Sequence, residues 1–340
     1  MAFSFSVSAQ TIRRVTNNPA VTGVNIYATV QAAHNAAVAG DIIYLEPTSS
    51  NYGALVCTKR LTIIGNGFAE QNNNYLTTPN PPLDGRVSTM SGFEMNNGSQ
   101  NSVIIGVNIQ GQCYIRVPNI SIDRCVMGGA SYAIEFQTTD VANGIVGRNV
   151  TITRCRINGL VLLFNTSTLG LGTNCLITNN IFNPGGQPIS GLSTSVIKNN
   201  IFNNGITVAS SVVSDNIFMN SSTSVSDYNT TNTNSISNNL SVGANGLPTG
   251  NGNINGTILS SIFTTSSPNG ATPDSGWQLA VGSPAIGTGT GGANIGIFAG
   301  SSPFVLSGLP PVPIITNFTT SGVGNTSTPL SVSVTVRGNN

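Results

Sequence analysis

The stretch "SVIKNNIFNN", Ser195–Asn204, places apolar residues beside paired asparagines twice within one short segment. Its template, an aliphatic anchor followed three positions later by Asn or Cys, recurs in lines such as "NVTITRCRI" and "NCLITNNIF". Together with two similar upstream lines, the anchors of the series are Ile63, Ile104, Ile122, Ile152, Ile177, Ile197, Val213 and Ile236. Such internal repetition predicts a solenoid whose repeats stack on one another.

Apolar residues alternate within each repeat, as at Val150 and Ile152, which is the period of a β-strand. Successive anchors from Ile122 onwards lie 16 to 30 residues apart, and this excludes leucine-rich and ankyrin repeats, whose periods are nearly fixed. Short strands joined by turns can stack at a spacing of roughly 4.8 Å while insertions bulge outward at one corner. The pattern therefore predicts an all-β chain, a single-stranded parallel β-helix.

Both ends of the predicted β-helix carry signals of their own. The Ala-rich run Ile26–Val38, stopped by Gly40, predicts a helix at about residues 26–38 that caps the open N-terminal end. Near the C-terminus, Leu330–Asn340 alternates as a β-strand, which needs a partner in the β-helix or on another molecule. Leu330–Arg337 is therefore a candidate for self-association into a homo-oligomer or filament.

The expected domain organisation has three parts. Residues 1–10 resemble the end of a signal peptide or tag, because an apolar run precedes the small-residue pattern "SAQ"; an ordinary first strand is the alternative. Residues 11–305 form the β-helix, and residues 306–340 form a Pro-rich connector and a strand-bearing tail. An exported protein, secreted or held at the cell surface, is the expectation.

Composition excludes several classes of function. Only 7% of the residues are charged and the net charge is +1, so the basic surface that nucleic-acid binding requires is missing. The chain lacks an apolar run of the 18 or more residues that would predict a membrane-spanning helix. A single histidine, His34, and five cysteines without metal-ligand spacing argue against a metal site, and no cofactor is expected.

At this point the chain resembles a known family. The segment "TVQAAHNAAVAGDIIYLEP" and the lines "ITNNIFN", "IKNNIFNN" and "VSDNIFMN" are similar to right-handed parallel β-helix proteins of the pectate-lyase-like superfamily. "WQLAVGSPAIGTGTGGANIGIFAG", Trp277–Gly300, resembles the closing coil of secreted β-helix proteins of Bacteroidetes-type bacteria. The resemblance implies a right-handed β-helix and a bacterial, exported protein. It does not imply one activity, because this fold hosts lyases, hydrolases, tailspikes and adhesins.

The one charged constellation with a repeat register is basic. Arg124 and Arg154 occupy the same template position in neighbouring repeats, and stacked guanidinium groups can bind a sugar carboxylate or sulfate bidentately. The alternative is that they form ion pairs with acidic residues on the outer wall. The candidate carbohydrate-binding residues are Asp123, Arg124, Glu135, Asp140, Arg154 and Arg156.

The eleven acidic residues are scattered, without matching positions in adjacent repeats. A calcium-dependent lyase needs clustered carboxylates for its metal, and a glycoside hydrolase needs a carboxyl pair, for which Asp123 with Glu135 or Asp140 comes nearest. Catalytic residues therefore cannot be assigned from the sequence.

The asparagines have a structural interpretation. If the repeats stack, the template position forms a ladder in which each amide bonds the residues above and below, with Asn also adopting the left-handed backbone of a tight corner. The ladder is predicted to comprise Cys125, Cys155, Asn180, Asn200, Asn216 and Asn239, with the two cysteines as stacked thiols.

Two classes of function follow. The leading hypothesis is a non-catalytic structural or adhesive protein, since the residues describe a rigid rod with a neutral polar surface. The alternative is a polysaccharide lyase, a glycoside hydrolase or a carbohydrate-binding module that uses the wall around Arg124 and Arg154.

Overall fold

The computed structural model describes residues 10–68, 86–128, 132–140, 145–163, 172–183, 186–219, 222, 224–227, 234–269, 272–325 and 327–338. Within these residues the chain folds as a right-handed parallel β-helix, with three long parallel sheets and one α-helix. The fold predicted from the repeats is therefore confirmed. Of the predicted signal segment, residues 1–9 lie outside the described residues.

The three parallel sheets are here named A, B and C. Sheet A has eleven strands, in the spatial order Ile26–Tyr27, Ile12–Val15, Ile42–Leu45, Thr62–Ile64, Val103–Ile105, Ser121–Asp123, Thr151–Thr153, Leu176–Thr178, Val196–Lys198, Val212–Ser214 and Ser235–Ser237. Sheet B has eight strands, Ala54–Cys57, Gly92–Met95, Cys113–Ile115, Tyr132–Phe136, Leu160–Leu163, Ile189–Ser193, Ile206–Ala209 and Val225–Asp227. Sheet C also has eight, Thr89–Met90, Asn108–Ile109, Val126–Met127, Arg156–Ile157, Ile181–Phe182, Ile201–Phe202, Ile217–Phe218 and Leu240–Ser241.

The aliphatic anchors of the repeats form one column on sheet A. Each anchor pairs in register with the next, from Ile63 through to Ile236. From Ile63 to Val213 their side chains are fully buried in the interior of the coils. The repeat was visible in the sequence because every coil contributes the same buried aliphatic position to a parallel ladder.

Sheet C alternates between two hydrophobic environments. Phe182, Phe202 and Phe218 point into the coils and stack with ring centroids 4.8 and 5.1 Å apart. The preceding residues, such as Ile201 and Ile217, are equally buried but belong to a second cluster outside the coils. The outward positions of sheet C therefore form a stripe covered by another part of the chain: Val126, Arg156, Ile181, Ile201, Ile217 and Leu240.

The capping helix is shorter than the sequence predicts. It spans Val30–Ala36, rather than about residues 26–38, because Ile26–Tyr27 pairs with the first strand and Thr29 caps the helix by accepting a hydrogen bond from the backbone N–H of Ala32. Lys59 donates to the carbonyls at the helix C-terminus, at 2.8 to 3.1 Å. Burial lowers the pKa of His34; a bond to Asn35 opposes this and the charge of Lys59 adds to it.

The chain beyond sheet C folds back over it. Residues 272–309, here called the strap, carry three short 3-10 helices, Asp274–Trp277, Thr290–Gly292 and Leu306–Gly308, preceded by a further one at Leu259–Ser261. Trp277, Ile295 and Ile297 of the strap pack on the outward stripe of sheet C. The strap thus provides the outer half of the second hydrophobic cluster.

Two antiparallel hairpins complete the described chain. Thr138–Asp140 pairs with Ile145–Val146, and Ile314–Thr320 pairs with Val332–Arg337. The second of these contains the predicted tail strand, which begins at Val332 rather than Leu330. Its partner is Ile314–Thr320, a segment that the sequence predicts to be connector.

Candidate functional site

The two asparagines of each pair have different structural roles, one at the corner of the coil and one in the ladder. The left-handed backbone falls on the first residue of each pair, with φ of 57° at Asn179 and 56° at Asn199, and not on the second as the sequence analysis expects. Asn is among the residues that tolerate this conformation best. The second residue then points into the coils, so the corner and the ladder belong to neighbouring positions.

The second asparagines form a continuous ladder of hydrogen bonds. Asn180 Nδ2 donates to Asn200 Oδ1 at 3.0 Å, Asn200 to Asn216 at 3.0 Å and Asn216 to Asn239 at 2.9 Å. Each Oδ1 also accepts the backbone N–H of the residue one coil before, and each Nδ2 also donates to a backbone carbonyl. The buried amides are thereby saturated, and an unpaired one would cost about 1 to 3 kcal/mol.

Both ends of the ladder use other residues. Asn239 donates to Asn253 at 3.2 Å, a further rung that the template does not reveal because Asn253 follows no aliphatic anchor. At the other end, Cys155 N–H donates to Asn180 Oδ1 at 2.8 Å and Cys125 N–H lies 3.4 Å from Cys155 Sγ. Cys125 and Cys155 are buried free thiols, and burial raises the pKa of Cys155.

The first residues of the pairs hold the strap. Asn179 donates to the carbonyls of Ile297 and Ala299 at 2.7 and 2.8 Å, and Asn199 donates to Gly296 at 3.4 Å. In the next coil Asp215 accepts from the backbone N–H and the hydroxyl of Thr290 at 2.7 and 2.9 Å. The strap therefore runs antiparallel to the coil order, fastened along one corner of the β-helix.

The predicted arginine wall belongs to this same corner. Arg124 and Arg154 stand where other coils have Asn, with φ of 54° and 53°. Arg154 makes a bidentate pair with Asp123 at 2.6 and 2.7 Å, and Arg124 donates to the carbonyl of Leu309 in the strap at 2.6 Å. Burial and the neighbouring Arg154 lower the pKa of Arg124, and Asp123 opposes the shift.

Two of the predicted sugar-binding arginines are not accessible. Arg124 is 4% exposed and Arg156 is 1% exposed, because the strap covers both. Arg156 takes the outward position of sheet C between Val126 and Ile181, and its guanidinium lies 3.6 Å from the buried carboxylate of Asp274. Both arginines therefore join the strap to the coils, and neither has the exposure that an open anion site would require.

Glu135 lies elsewhere, on the outer face of sheet B. It pairs in register with Tyr114, which pairs in turn with Glu94. These three side chains, with Gln112, Arg116 and Gln137 beside them, are here called the Tyr114 wall. Asp140 does not join it by any described contact; it ends the short strand Thr138–Asp140, and its side chain lies outside the described residues.

The Tyr114 wall is a connected polar network. Arg116 donates to Glu94 at 2.6 Å and to Gln137 at 2.7 Å, and its guanidinium carbon lies 4.8 Å from the centre of the Tyr114 ring. Glu135 accepts from Gln137 at 2.8 Å and from Gln112, which also accepts the Tyr114 hydroxyl at 3.0 Å. Parallel strands orient this network because their outward positions repeat at one strand spacing, roughly 4.8 Å.

Of the Tyr114 wall, only Glu135 is among the candidate binding residues of the sequence analysis. The template covers sheets A and C, whereas the strands of sheet B vary in sequence from coil to coil. The available signal was the alternation in "QCYIRV", where Gln112, Tyr114 and Arg116 fall on one face of a strand. Their register against Glu94 and Glu135 depends on the lengths of the intervening turns, which the alternation does not give.

Two further kinds of feature are absent from the described residues. Groups of three or more His, Cys, Asp or Glu that could hold a metal ion are absent from the part of the chain that the structure describes. Within that same part, none of the helices has the length and apolarity needed to cross a membrane.

Comparison of the sequence with models of protein families and with curated proteins finds no match to either. The fold and the side-chain geometry therefore supply the basis for a functional proposal.

Proposed function

We propose that this protein is an exported, non-catalytic β-helix that binds polysaccharide through the Tyr114 wall and serves as an adhesive or structural component of a bacterial surface. In this proposal it is related to the secreted β-helix proteins of the pectate-lyase-like superfamily that its sequence resembles. The observation that carries the proposal is the cluster of an aromatic ring, carboxylates and side-chain amides on the outer face of sheet B, where Tyr114 and Glu94 are half-buried and Glu135 is 5% exposed.

The chemistry of the wall suits sugar hydroxyls. Tyr114 offers an apolar ring with a polar tip, and the surrounding carboxylates and amides offer acceptors and donors in fixed positions. Glu94, Tyr114 and Glu135 lie within the strands of a parallel sheet and the two glutamines lie directly beside those strands, so little conformational entropy is lost when a chain of sugars lies across them.

Charge favours a neutral polysaccharide. The wall carries two carboxylates, Glu94 and Glu135, against the single cation of Arg116. An acidic polysaccharide would meet excess negative charge there, and the arginines that could have bound it, Arg124 and Arg154, are engaged by Leu309 and Asp123. The sugar carboxylates and sulfates first expected from the sequence are therefore replaced by neutral sugars in this proposal.

Hydrolysis is less well supported than binding. Glu94 and Glu135 are two strands apart, about 10 Å between their backbones, a distance compatible with the carboxyl pair of an inverting glycosidase. However, both act as hydrogen-bond acceptors, from Arg116 and from the two glutamines, whereas a general acid must donate a proton to the leaving group. The two carboxylates of the wall therefore serve as hydrogen-bond acceptors, and neither is positioned as the general acid that hydrolysis requires.

Binding to a panel of neutral and acidic polysaccharides, measured by calorimetry and affinity electrophoresis, tests the proposal. Tyr114→Ala should weaken binding about tenfold, while Ser190→Ala, on the outer face of sheet B two strands beyond Glu135, should leave it unchanged. Equal binding by both variants, or binding of acidic chains alone, would contradict the Tyr114 wall. Release of reducing ends or unsaturated products would contradict the non-catalytic assignment.

A further inference from the structure

The tail hairpin, Ile314–Thr320 with Val332–Arg337, has an apolar face that nothing in the described chain covers. Directly opposed residues of an antiparallel pair point to the same face, and three such pairs line this one: Ile315 with Val336, Phe318 with Val334, and Thr320 with Val332. The five apolar side chains are 47 to 55% exposed. Half of each therefore remains in water.

The opposite face of the hairpin is polar. It presents Asn317 with Thr335 and Thr319 with Ser333. The hairpin is thus amphipathic in the way of a sheet that packs one face on a partner and leaves the other in solvent. Among the described residues it pairs with no third strand, and an isolated two-stranded hairpin is only marginally stable in water.

We infer that this face is a self-association surface, and that it packs against the same face of a second copy of the chain around a two-fold axis. The area is sufficient: six half-exposed side chains from each copy would remove on the order of 1,000 Å² from water in total, which reaches the lower end of specific interfaces. An interface of this size fits association in the micromolar range.

The composition of the hairpin favours a second copy over a charged partner. Arg337 is the single charged residue between positions 314 and 337, so little repulsion opposes two copies and little charge is present to select another protein. A face with apolar residues on both strands is also self-complementary, as a two-fold interface requires. The sequence predicts that the tail strand pairs with a strand of the β-helix or of another molecule, whereas this contact joins two faces, and it does not depend on polysaccharide binding.

Analytical ultracentrifugation of the full chain, from about 1 to 200 µM, tests the inference. The chain should pass from monomer to dimer across this range, and Val334→Asp should leave it monomeric throughout. Ser333→Asp places the same charge on the polar face of the same strand and should retain the dimer. Val334→Thr keeps the β-branched shape that a strand favours and should weaken dimerisation about tenfold. Because this variant should retain the hairpin, its weaker dimer could not be explained by unfolding of the hairpin.

Three results would overturn the inference. One is a wild-type chain that stays monomeric at the highest concentration; another is an equal effect of Val334→Asp and Ser333→Asp, which would indicate pairing through strand edges. The third is a series of growing oligomers, which would indicate a head-to-tail contact instead of a closed two-fold one. Oxidation of Val334→Cys should trap a covalent dimer, and oxidation of Ser333→Cys should not.

Discussion

The strap, residues 272–309, and the tail hairpin, Ile314–Arg337, are neighbours in the chain, but they bury their apolar side chains to very different extents. The strap buries Trp277, Ile295 and Ile297 against sheet C, with at most 1% of each exposed. The hairpin leaves Val332, Val334 and Val336 about half exposed. Apolar content alone therefore does not decide whether a segment docks on the β-helix.

The difference lies in what the β-helix offers to each segment. Opposite the strap stand an apolar stripe on sheet C and a column of polar side chains at the corner, which satisfy the strap's backbone where it is not paired in a sheet. The hairpin satisfies most of its backbone internally through six cross-strand residue pairs. A segment with its backbone groups already paired needs only an apolar partner, and this can come from another molecule.

The largest loss of stability is expected from a substitution at the buried carboxylate of the strap. Asp274→Ala removes the carboxylate that lies 3.6 Å from Arg156 and accepts the backbone N–H of Ser307 at 2.8 Å. Breaking one partner of a buried pair costs about 3 to 5 kcal/mol, and urea denaturation should show this loss. Glu46→Ala, at the exposed pair with Arg14, should cost less than about 1 kcal/mol. Equal losses for the two variants would argue against a buried pair.

A smaller loss of stability is expected from a substitution in the asparagine ladder. Asn200→Ala removes the acceptor for the Asn180 side chain and the donor to Asn216, inside a fully buried corner. We expect a loss of about 3 kcal/mol, since more than one buried group is left without a partner. Denaturation monitored by circular dichroism checks the value. A loss below about 1 kcal/mol would mean that water or a neighbouring coil replaces the amide.

The fastening of the strap can be loosened without disturbing the corner. Asn179→Gly keeps the left-handed backbone but removes the two bonds to Ile297 and Ala299, so we expect a loss of about 1 to 2 kcal/mol. Hydrogen exchange should accelerate in residues 295–299. Asn174→Gly, at an exposed left-handed position of another corner, is the matched control and should leave exchange in the strap unchanged.

A substitution in the tail hairpin should hardly change the stability of the β-helix. Val334→Thr changes a half-exposed side chain remote from both hydrophobic clusters, so the free energy of unfolding of the monomer should change by less than about 0.5 kcal/mol. Denaturation at low protein concentration measures this. A larger loss would show that the hairpin docks on the β-helix in solution.

The N-terminal cap should respond to acid, unlike the hairpin, which contains no histidine or carboxylate within residues 314–337. Burial lowers the pKa of His34 below 6.5, with Lys59 adding to the shift, so the folded state favours the neutral ring that accepts the Thr58 N–H. Its contribution is fully present above pH 6.5 and is lost as pH falls through the folded-state value. Hydrogen exchange in Val30–Ala36, corrected for intrinsic rates, should be faster at about pH 5.5 than at about pH 7.5. His34→Gln should remove this difference.

The sequence predicted the parallel coils because the aliphatic anchors repeat along the chain and the inward Asn and Phe recur in several coils. It did not predict which residues lie beneath the strap. The repeat gives no sign that Ile181 and Ile201 are covered by another segment, and it predicts Arg124 on the outer wall, because the covering segment begins only after the last coil. For the same reason, only Glu135 of the Tyr114 wall was among the candidate binding residues: its neighbours come from strands separated by turns of variable length.

By itself the sequence determined the parallel stack of coils, the capped N-terminus and the presence of a strand at the tail, since these follow from local periodicity and turn residues. The right hand of the coils was implied by the family resemblance alone. Tertiary structure alone decided that the first Asn of each pair holds the strap, that Arg124 and Arg156 are buried, and that Tyr114 meets two glutamates. Each of these depends on contacts between residues distant in sequence, whose distance is set by how many coils and insertions lie between them.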